Sequence, residues 1–174
     1  MQLDLCSTAS FARVIYSPNL VEVSVLLATN IVYQVQSIPQ LKNPDYQNEL
    51  IHFLFTHLGQ YSDPLADIRS CLQYILDEKH GGHVITAQDQ HNEIQGVVFL
   101  AKTNMKTFVP DYLLVYIAVN NSLRGQGIGQ GLLEFIKGHI DAPIALHVEH
   151  DNPAKRLYEK MGFTNKYTEM RWHP

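Results

Sequence analysis

The sequence lacks most features that mark secreted, membrane-spanning or nucleic-acid-binding proteins. It has only two cysteines, Cys6 and Cys71, without the spacing of a zinc site or the density of a disulfide scaffold. No window approaches the run of about 18 apolar residues that a spanning helix needs, and Asp4 and Arg13 interrupt any signal-peptide core. The net charge of -4 offers no general attraction to phosphate backbones. We therefore expect a cytoplasmic protein without membrane or nucleic-acid partners.

The sequence is rich in apolar residues, and their spacing indicates alternating strands and helices. With 174 residues, 45% of them hydrophobic, one domain with a sizeable core is expected. Residues 11–16 and 21–28 predict a hairpin. Further strands are predicted at 31–38, 83–87, 94–102, 112–119, 144–149 and 165–172, and helices at 43–58, 63–76, 128–140 and 153–161. Asp63 and Asn152 are the expected N-caps of two of these helices.

The residues between strand 112–119 and the next helix form a glycine-rich loop. They read Arg124, Gly125, Gln126, Gly127, Ile128 and Gly129. Backbone N–H groups at a helix N-terminus bind anions, and glycines let a phosphate approach the backbone closely. No Lys-Ser or Lys-Thr follows, which argues against a Walker A loop, and a GxGxxG fingerprint fails because Gln130 or Leu132 stands at its third glycine. The loop therefore predicts a phosphate site of another kind.

Two motifs in order along the chain resemble the GNAT superfamily of N-acetyltransferases. Arg124, Gly127 and Gly129 match its pattern R/Q-x-x-G-x-G/A. Its helix pattern N-x-A-x-x-L-Y-x-x-x-G-F is matched by Asn152, Ala154, Leu157, Tyr158, Gly162 and Phe163. The resemblance is strong over residues 112–172 and agrees in outline from residue 31. We expect a GNAT domain over residues 31–174, preceded by an N-terminal extension, residues 1–30, that adds strands.

The resemblance implies a mixed α/β (α+β) fold and a cosubstrate. The expected sheet is twisted and mostly antiparallel, with flanking helices and two splayed parallel strands that admit the pantetheine arm of acetyl-CoA. The implied cofactor-binding residues are Ile117, Ala118, Val119, Arg124, Gly125, Gln126, Gly127, Ile128, Gly129, Gln130, Asn152 and Tyr158. No metal is expected, since His80 with His83, and His147 with His150, do not form a two-ligand face.

The resemblance also implies direct attack of an amine on the thioester, which requires a base and an acid. Tyr158 matches the family's acid near the CoA sulfur, although the same helical position suits a core tyrosine. His147 stands where some relatives carry a glutamate and can accept a proton near neutral pH. Glu149 is the rival base. The acceptor is expected to be a peptide N-terminus, a lysine or a small amine.

Two further interpretations stay open from the sequence. The chain could be an acyl-CoA-binding regulatory module without turnover, because it lacks the strand glutamate. An acetyltransferase acting on charged tRNA is disfavoured by the acidic balance of the chain. The sequence leaves the oligomeric state, including a homodimer, undecided.

Overall fold

The computed structural model describes residues 30–105 and 107–172, which form a mixed sheet with helices on both faces. The strands are β1 (Val32–Val35), β2 (Gly82–Gln88), β3 (Ile94–Lys102), β4 (Tyr112–Val119) and β5 (Ile144–Leu146). The helices are α1 (Ile38–Leu41), α2 (Pro44–Leu58), α3 (Leu65–Leu76), α4 (Ile128–His139) and α5 (Lys155–Lys160), with 3₁₀ turns at Gly59–Tyr61 and Asn121–Leu123. Within this part of the chain the sheet order is β1-β2-β3-β4-β5, with β1 to β4 antiparallel and β5 parallel to β4. The predicted fold class is confirmed.

Each face of the sheet carries its own apolar layer. Helices α2 and α3 cover one face, where Leu50, Leu54 and Leu72 are fully buried. Helices α4 and α5 cover the other, and the predicted apolar stripe of α4, including Leu132 and Ile136, packs there. The 3.6-residue periodicity explains this placement, because it puts the apolar side chains of α4 on one side.

Strand β4 contains a bulge that changes which side chains face each layer. Phe99 pairs with Tyr116 and Leu100 pairs with Leu114, so Val115 is an extra residue without a partner on β3. Side chains two apart in a regular strand share a face. Leu114 packs in the α4/α5 layer, whereas Tyr116 packs in the α2/α3 layer. The bulge therefore turns Tyr116 to the face opposite Leu114.

Strand β4 pairs with β5 only over its first three residues. Tyr112–Leu114 pair with Ile144–Leu146, and the remaining five residues of β4 extend beyond the end of β5. Beyond these pairs the two parallel strands no longer pair, as expected for the splayed pair, and we call the unpaired region between them the opening. The predicted strand 144–149 is too long, because β5 ends at Leu146 where the strands separate and the ladder hydrogen bonds stop.

Other predicted boundaries also differ from the structure. The strand predicted at 31–38 ends at Val35, because Pro39 lies in the first turn of α1, where a proline without an N–H is tolerated. The strand predicted at 165–172 is wrong: these residues form no strand, and Tyr167, Met170 and Trp172 are highly exposed. Alternation alone does not make a strand without a paired edge. The hairpin predicted at 11–16 and 21–28 lies outside the described residues.

Candidate active site

The glycine loop adopts the backbone conformation that requires glycine. Gly125 and Gly127 have φ values of 80° and 88°, in the left-handed region. Gly127 is the N-cap of α4, and the first hydrogen bond of the helix runs from Gly131 N to Gly127 O. The N–H groups of Ile128, Gly129 and Gln130 therefore have no intrahelical acceptor. These N–H groups lie at the positive end of the helix dipole, which favours the binding of an anion.

The space beside this loop is open. A Cβ built on Gly125 or Gly127 would meet no atom within 4 Å. The described structure thus leaves room next to unpaired backbone donors, as close approach of a pyrophosphate requires. Gly129 has a different role: its Cβ would lie 3.2 Å from Leu157 Cδ2 and 3.6 Å from Val119 Cγ2. It lets α4 pack closely against α5 and the end of β4.

The polar side chains of the loop make contacts with neighbouring elements. Arg124 Nη2 donates to the backbone carbonyl of His57 at the end of α2. Gln130 Nε2 donates to Glu134 Oε1 at 2.7 Å, and Gln130 Oε1 accepts from Lys160 Nζ of α5 at 2.8 Å. These side chains stabilise the loop and its neighbouring helix.

The strand residues expected to bind pantetheine lie beside the opening. Ile117 and Val119 contact the α4/α5 layer, whereas Ala118 is buried in the opposite layer. All three belong to the part of β4 that extends beyond β5. These residues pair with β3 on one side, and within the described residues they have no strand partner on the side of β5, where an extended chain could pair with them.

Tyr158 lies in α5 and is only 7% exposed. Its ring packs edge-on against Phe163, with the centroids 6.0 Å apart. Burial raises the pKa of the Tyr158 phenol to about 12, so the hydroxyl stays protonated at neutral pH. Gly162, with a φ of 88°, ends the helix as predicted, and Phe163 N donates to Tyr158 O.

The start of α5 differs from the prediction. The helix begins at Lys155, after Ala154, so Pro153 is not its first residue and Asn152 is not its N-cap. Asn152 Oδ1 instead accepts from Ala154 N at 2.9 Å, forming a turn that leads into the helix. Asn152 therefore still accepts a hydrogen bond from the backbone, but it does so in the turn before α5 and not as the cap of the helix.

The two candidate bases lie in the loop after β5 rather than on a strand. The side chain of His147 is 60% exposed, and its Nε2 lies 3.9 Å from Glu169 Oε2. Glu149 is exposed, and its carbonyl accepts from Asn152 N. Because β5 ends at Leu146, the regular alternation that would align His147 with Glu149 does not extend to them.

Tyr116, which the sequence did not single out, and Asp63, which it assigned as a helix cap, form a hydrogen bond on the opposite sheet face. Tyr116 Oη donates to Asp63 Oδ2 at 2.7 Å. Burial, followed by the Asp63 carboxylate, raises the pKa of the Tyr116 phenol. Asp63 is therefore not the predicted helix cap, and Pro64 stands at the cap position of α3 without a side-chain cap. No local pattern reveals this pair, because the residues are 53 positions apart.

Neither metal ligands nor a spanning segment stands out in residues 30–105 and 107–172. No three His, Cys, Asp or Glu side chains in these ranges are grouped as metal ligands would be. The described helices are all too short or too polar to cross a bilayer.

The part of the chain that contains the glycine loop and α5 matches a known protein family. A family model described as acetyltransferase (GNAT) domain matches residues 80–165. A search of curated protein sequences found no match.

Three solved structures illustrate the similarity of the fold. A possible acetyltransferase from Clostridium difficile 630 is 16% identical with a TM-score of 0.60, over 83% of this chain and 97% of that one. An aminoglycoside antibiotic 6′-N-acetyltransferase from Acinetobacter baumannii is 14% identical with a TM-score of 0.57, over 83% and 97%. A transcriptional regulator from Bacillus halodurans C-125 is 20% identical with a TM-score of 0.57, over 82% and 99%. At these identities the likeness establishes the fold alone.

Proposed function

Because the chain belongs to the GNAT acetyltransferase family, we propose that it transfers the acetyl group of acetyl-CoA to a primary amine by direct attack. The observation that carries the proposal is the glycine cradle at the start of α4, placed beside the opening between β4 and β5. The unpaired N–H groups of Ile128, Gly129 and Gln130 would bind the pyrophosphate. The free backbone edge of Ile117, Ala118 and Val119 would bind the pantetheine arm.

The chemistry divides between groups on the two sides of the opening. Acetyl-CoA supplies an acetyl group activated as a thioester. A neutral amine nitrogen forms the new N–C bond while the C–S bond breaks, and one proton leaves the nitrogen while one reaches the sulfur. Tyr158, a phenol that is protonated at neutral pH, donates a hydrogen bond or its proton to the departing sulfur. His147 or Glu149 accepts the amine proton, directly or through water.

The second candidate function is an acyl-CoA-binding module without turnover. The exposed position of His147, and of Glu149, outside any strand favours this candidate, because a base is usually held more firmly. Tyr158, which matches the tyrosine of the family's helix motif, favours the enzyme. For the enzyme, the proposed acceptor is a peptide N-terminus, a lysine or a small amine.

A thiol-release assay distinguishes the two functions. The protein is mixed with acetyl-CoA and a panel of amines and peptides, and free CoA is measured together with the acetylated product. The enzyme should release CoA only when an acceptor is acetylated. If acetyl-CoA raises the melting temperature but no acceptor in the panel is acetylated, the module is correct. If neither occurs, both candidates are wrong.

A further inference from the structure

Helix α2 ends beside the turn that precedes the glycine loop, and His57 makes the contact between them. Asn121 N, the first N–H group of the turn Asn121–Leu123, donates to His57 Nδ1 at 3.2 Å. The first N–H groups of a helical turn have no acceptor inside the turn, so this acceptor must come from elsewhere. The backbone carbonyl of the same histidine accepts from the guanidinium of Arg124. One residue of α2 therefore binds both the turn and the first residue of the glycine loop.

The hydrogen bond from Asn121 fixes the protonation state of the His57 ring. A ring nitrogen accepts a hydrogen bond only when it carries no proton, so the ring is neutral and its proton is on Nε2. The ring also packs against Phe53, one turn earlier on α2, with the centroids 4.4 Å apart. A proton added to Nδ1 would place two donors opposite each other, and the hydrogen bond would be lost.

Four charged or titratable side chains lie near this ring. Arg124 lies on the side of the glycine loop, bound to the carbonyl of His57. Desolvation lowers the pKa of His57 below its ordinary value of 6.5, and the charge of Arg124 lowers it further. The groove beside His57 is lined by three exposed groups, which are Glu49 and His52 of α2 and Glu93 of the turn between β2 and β3. The ring is therefore neutral at neutral pH, and it gains a proton only on acidification.

We propose that neutral His57 is a positioning residue for the glycine loop, and that acetyl-CoA binds less tightly once this ring is protonated. The inference rests on the proposed function, since it concerns the cosubstrate of that reaction. The turn Asn121–Leu123 runs directly into Arg124 and the glycine loop, so release of Asn121 loosens the segment that leads to the free N–H groups of α4. The added positive charge by itself would attract phosphates. A fall in affinity on protonation therefore reports the lost contact and not the charge.

Calorimetric titration with acetyl-CoA between pH 7.5 and pH 5.0 tests the inference without depending on turnover. The phosphates of acetyl-CoA also titrate, so the wild type is compared with His57→Asn at each pH. Asparagine Oδ1 can take the place of Nδ1 and accepts a hydrogen bond at every pH. The two proteins should bind alike at pH 7.5. On acidification the wild type should lose about threefold more affinity than His57→Asn, as expected for one hydrogen bond that is partly open to water.

Two further variants separate the hydrogen bond from other effects of a histidine. His57→Ala has no acceptor, so it should bind acetyl-CoA about threefold more weakly than His57→Asn at both pH values. His52→Asn is the matched control, because it removes an exposed histidine from the same helix, and it should keep the pH dependence of the wild type.

Three results would overturn the role of His57. They are the same pH dependence in the wild type and in His57→Asn, a wild-type affinity that rises relative to His57→Asn on acidification, and a change in His52→Asn equal to that in His57→Asn. If the His57 variants do not fold, amide NMR of the unliganded wild type replaces them. The Asn121 N–H resonance should shift with the same pH midpoint as the His57 ring. An Asn121 resonance that stays in place while His57 titrates would contradict the proposal.

The proposed function can fail separately from this role of His57. The expected pH dependence of binding, without acetylation of any amine, leaves His57 as a positioning residue and refutes the enzyme. Acetylation by a protein whose affinity does not depend on the protonation of His57 has the opposite meaning. A wild type that does not bind acetyl-CoA at all refutes both.

Discussion

The guanidinium of Arg124 donates a hydrogen bond to the backbone carbonyl of His57, so the first side chain of the glycine loop is bound to the end of α2. His57 Nδ1 accepts in turn from Asn121 N at 3.2 Å, in the turn that precedes the loop. Helix α2 leads directly into loop 59–64. These two contacts join the glycine loop and the turn before it to the end of α2.

Arg124→Ala should therefore weaken acetyl-CoA binding and lower the free energy of unfolding. An exposed hydrogen bond from a charged donor is worth about 1 kcal/mol. Urea unfolding and an acetyl-CoA titration measure the two effects. Arg69→Ala is the matched control, because Arg69 donates to Asn48 between α2 and α3, away from the loop. Equal acetyl-CoA affinity in wild type and Arg124→Ala would refute a role for this contact in the site.

The glycines of α4 should respond differently to substitution. Gly127→Val should abolish stabilisation by acetyl-CoA, about 2.7 kcal/mol at one hundred times the dissociation constant, because a side chain there is strained and fills the phosphate space. Gly129→Ala should mainly lower stability through its contact with Leu157. Gly138→Ala, in open space on the same helix, should raise stability by up to about 1 kcal/mol. Thermal melts with and without acetyl-CoA measure both the stability of each variant and its stabilisation by acetyl-CoA. An intact shift in Gly127→Val would contradict the cradle.

Tyr158→Phe should lower kcat far more than it weakens acetyl-CoA binding, because the hydroxyl acts on the departing sulfur. The loss expected for a general acid is about 100-fold to 10,000-fold. Tyr33→Phe is the control: burial, with Glu134 adding to it, raises the pKa of Tyr33 to about 12 as well, but its ring packs on Phe135. Steady-state kinetics and equilibrium binding separate the two effects. A similar small loss in both variants would leave Tyr158 as a packing residue.

His147→Ala should remove a rising limb from the pH dependence of the rate, because a general base acts only in its unprotonated form. The measurement uses two acceptors of different pKa, since an amine substrate also titrates. A limb that follows the acceptor is substrate ionisation, and one that stays fixed belongs to the protein. A loss in His147→Ala below about threefold at every pH would exclude His147, given the usual size of general-base effects. Glu149→Gln would then be compared in the same way.

The protein should lose stability as the pH falls below about 6.5, the ordinary value for histidine. Desolvation is the main cause that lowers the pKa values of His57, His83 and His139 in the folded protein. The unfolded chain therefore binds protons at a higher pH than the folded protein does. The stabilisation that these histidines contribute above that pH is lost as the pH falls towards their folded pKa values. Urea midpoints at pH 7.5 and 5.5 measure the loss. His83→Gln should reduce the difference, whereas His52→Gln, at an exposed position on α2, should retain it.

Local patterns in the sequence predicted the glycine loop and the elements on either side of it. The order of strand, glycine loop and amphipathic helix depends on residues close together in the chain, and so does the end of α5 at Gly162. The start of α5 and the length of β5 were predicted less well. Asparagine and proline are compatible with a turn as well as with a helix start, and a strand lasts only as long as its partner pairs with it.

The sequence by itself determined that a glycine loop with unpaired backbone N–H groups stands between β4 and α4, since glycine conformation and helix termini are local properties. Only the tertiary structure decided what faces the opening from the other side. The single extra residue Val115 reverses the side-chain alternation of β4, and the contact of Tyr116 with Asp63 joins elements far apart in the chain. The sheet face to which a strand side chain points depends on the register of the strand with its neighbour. That register is fixed by the packing of the whole sheet.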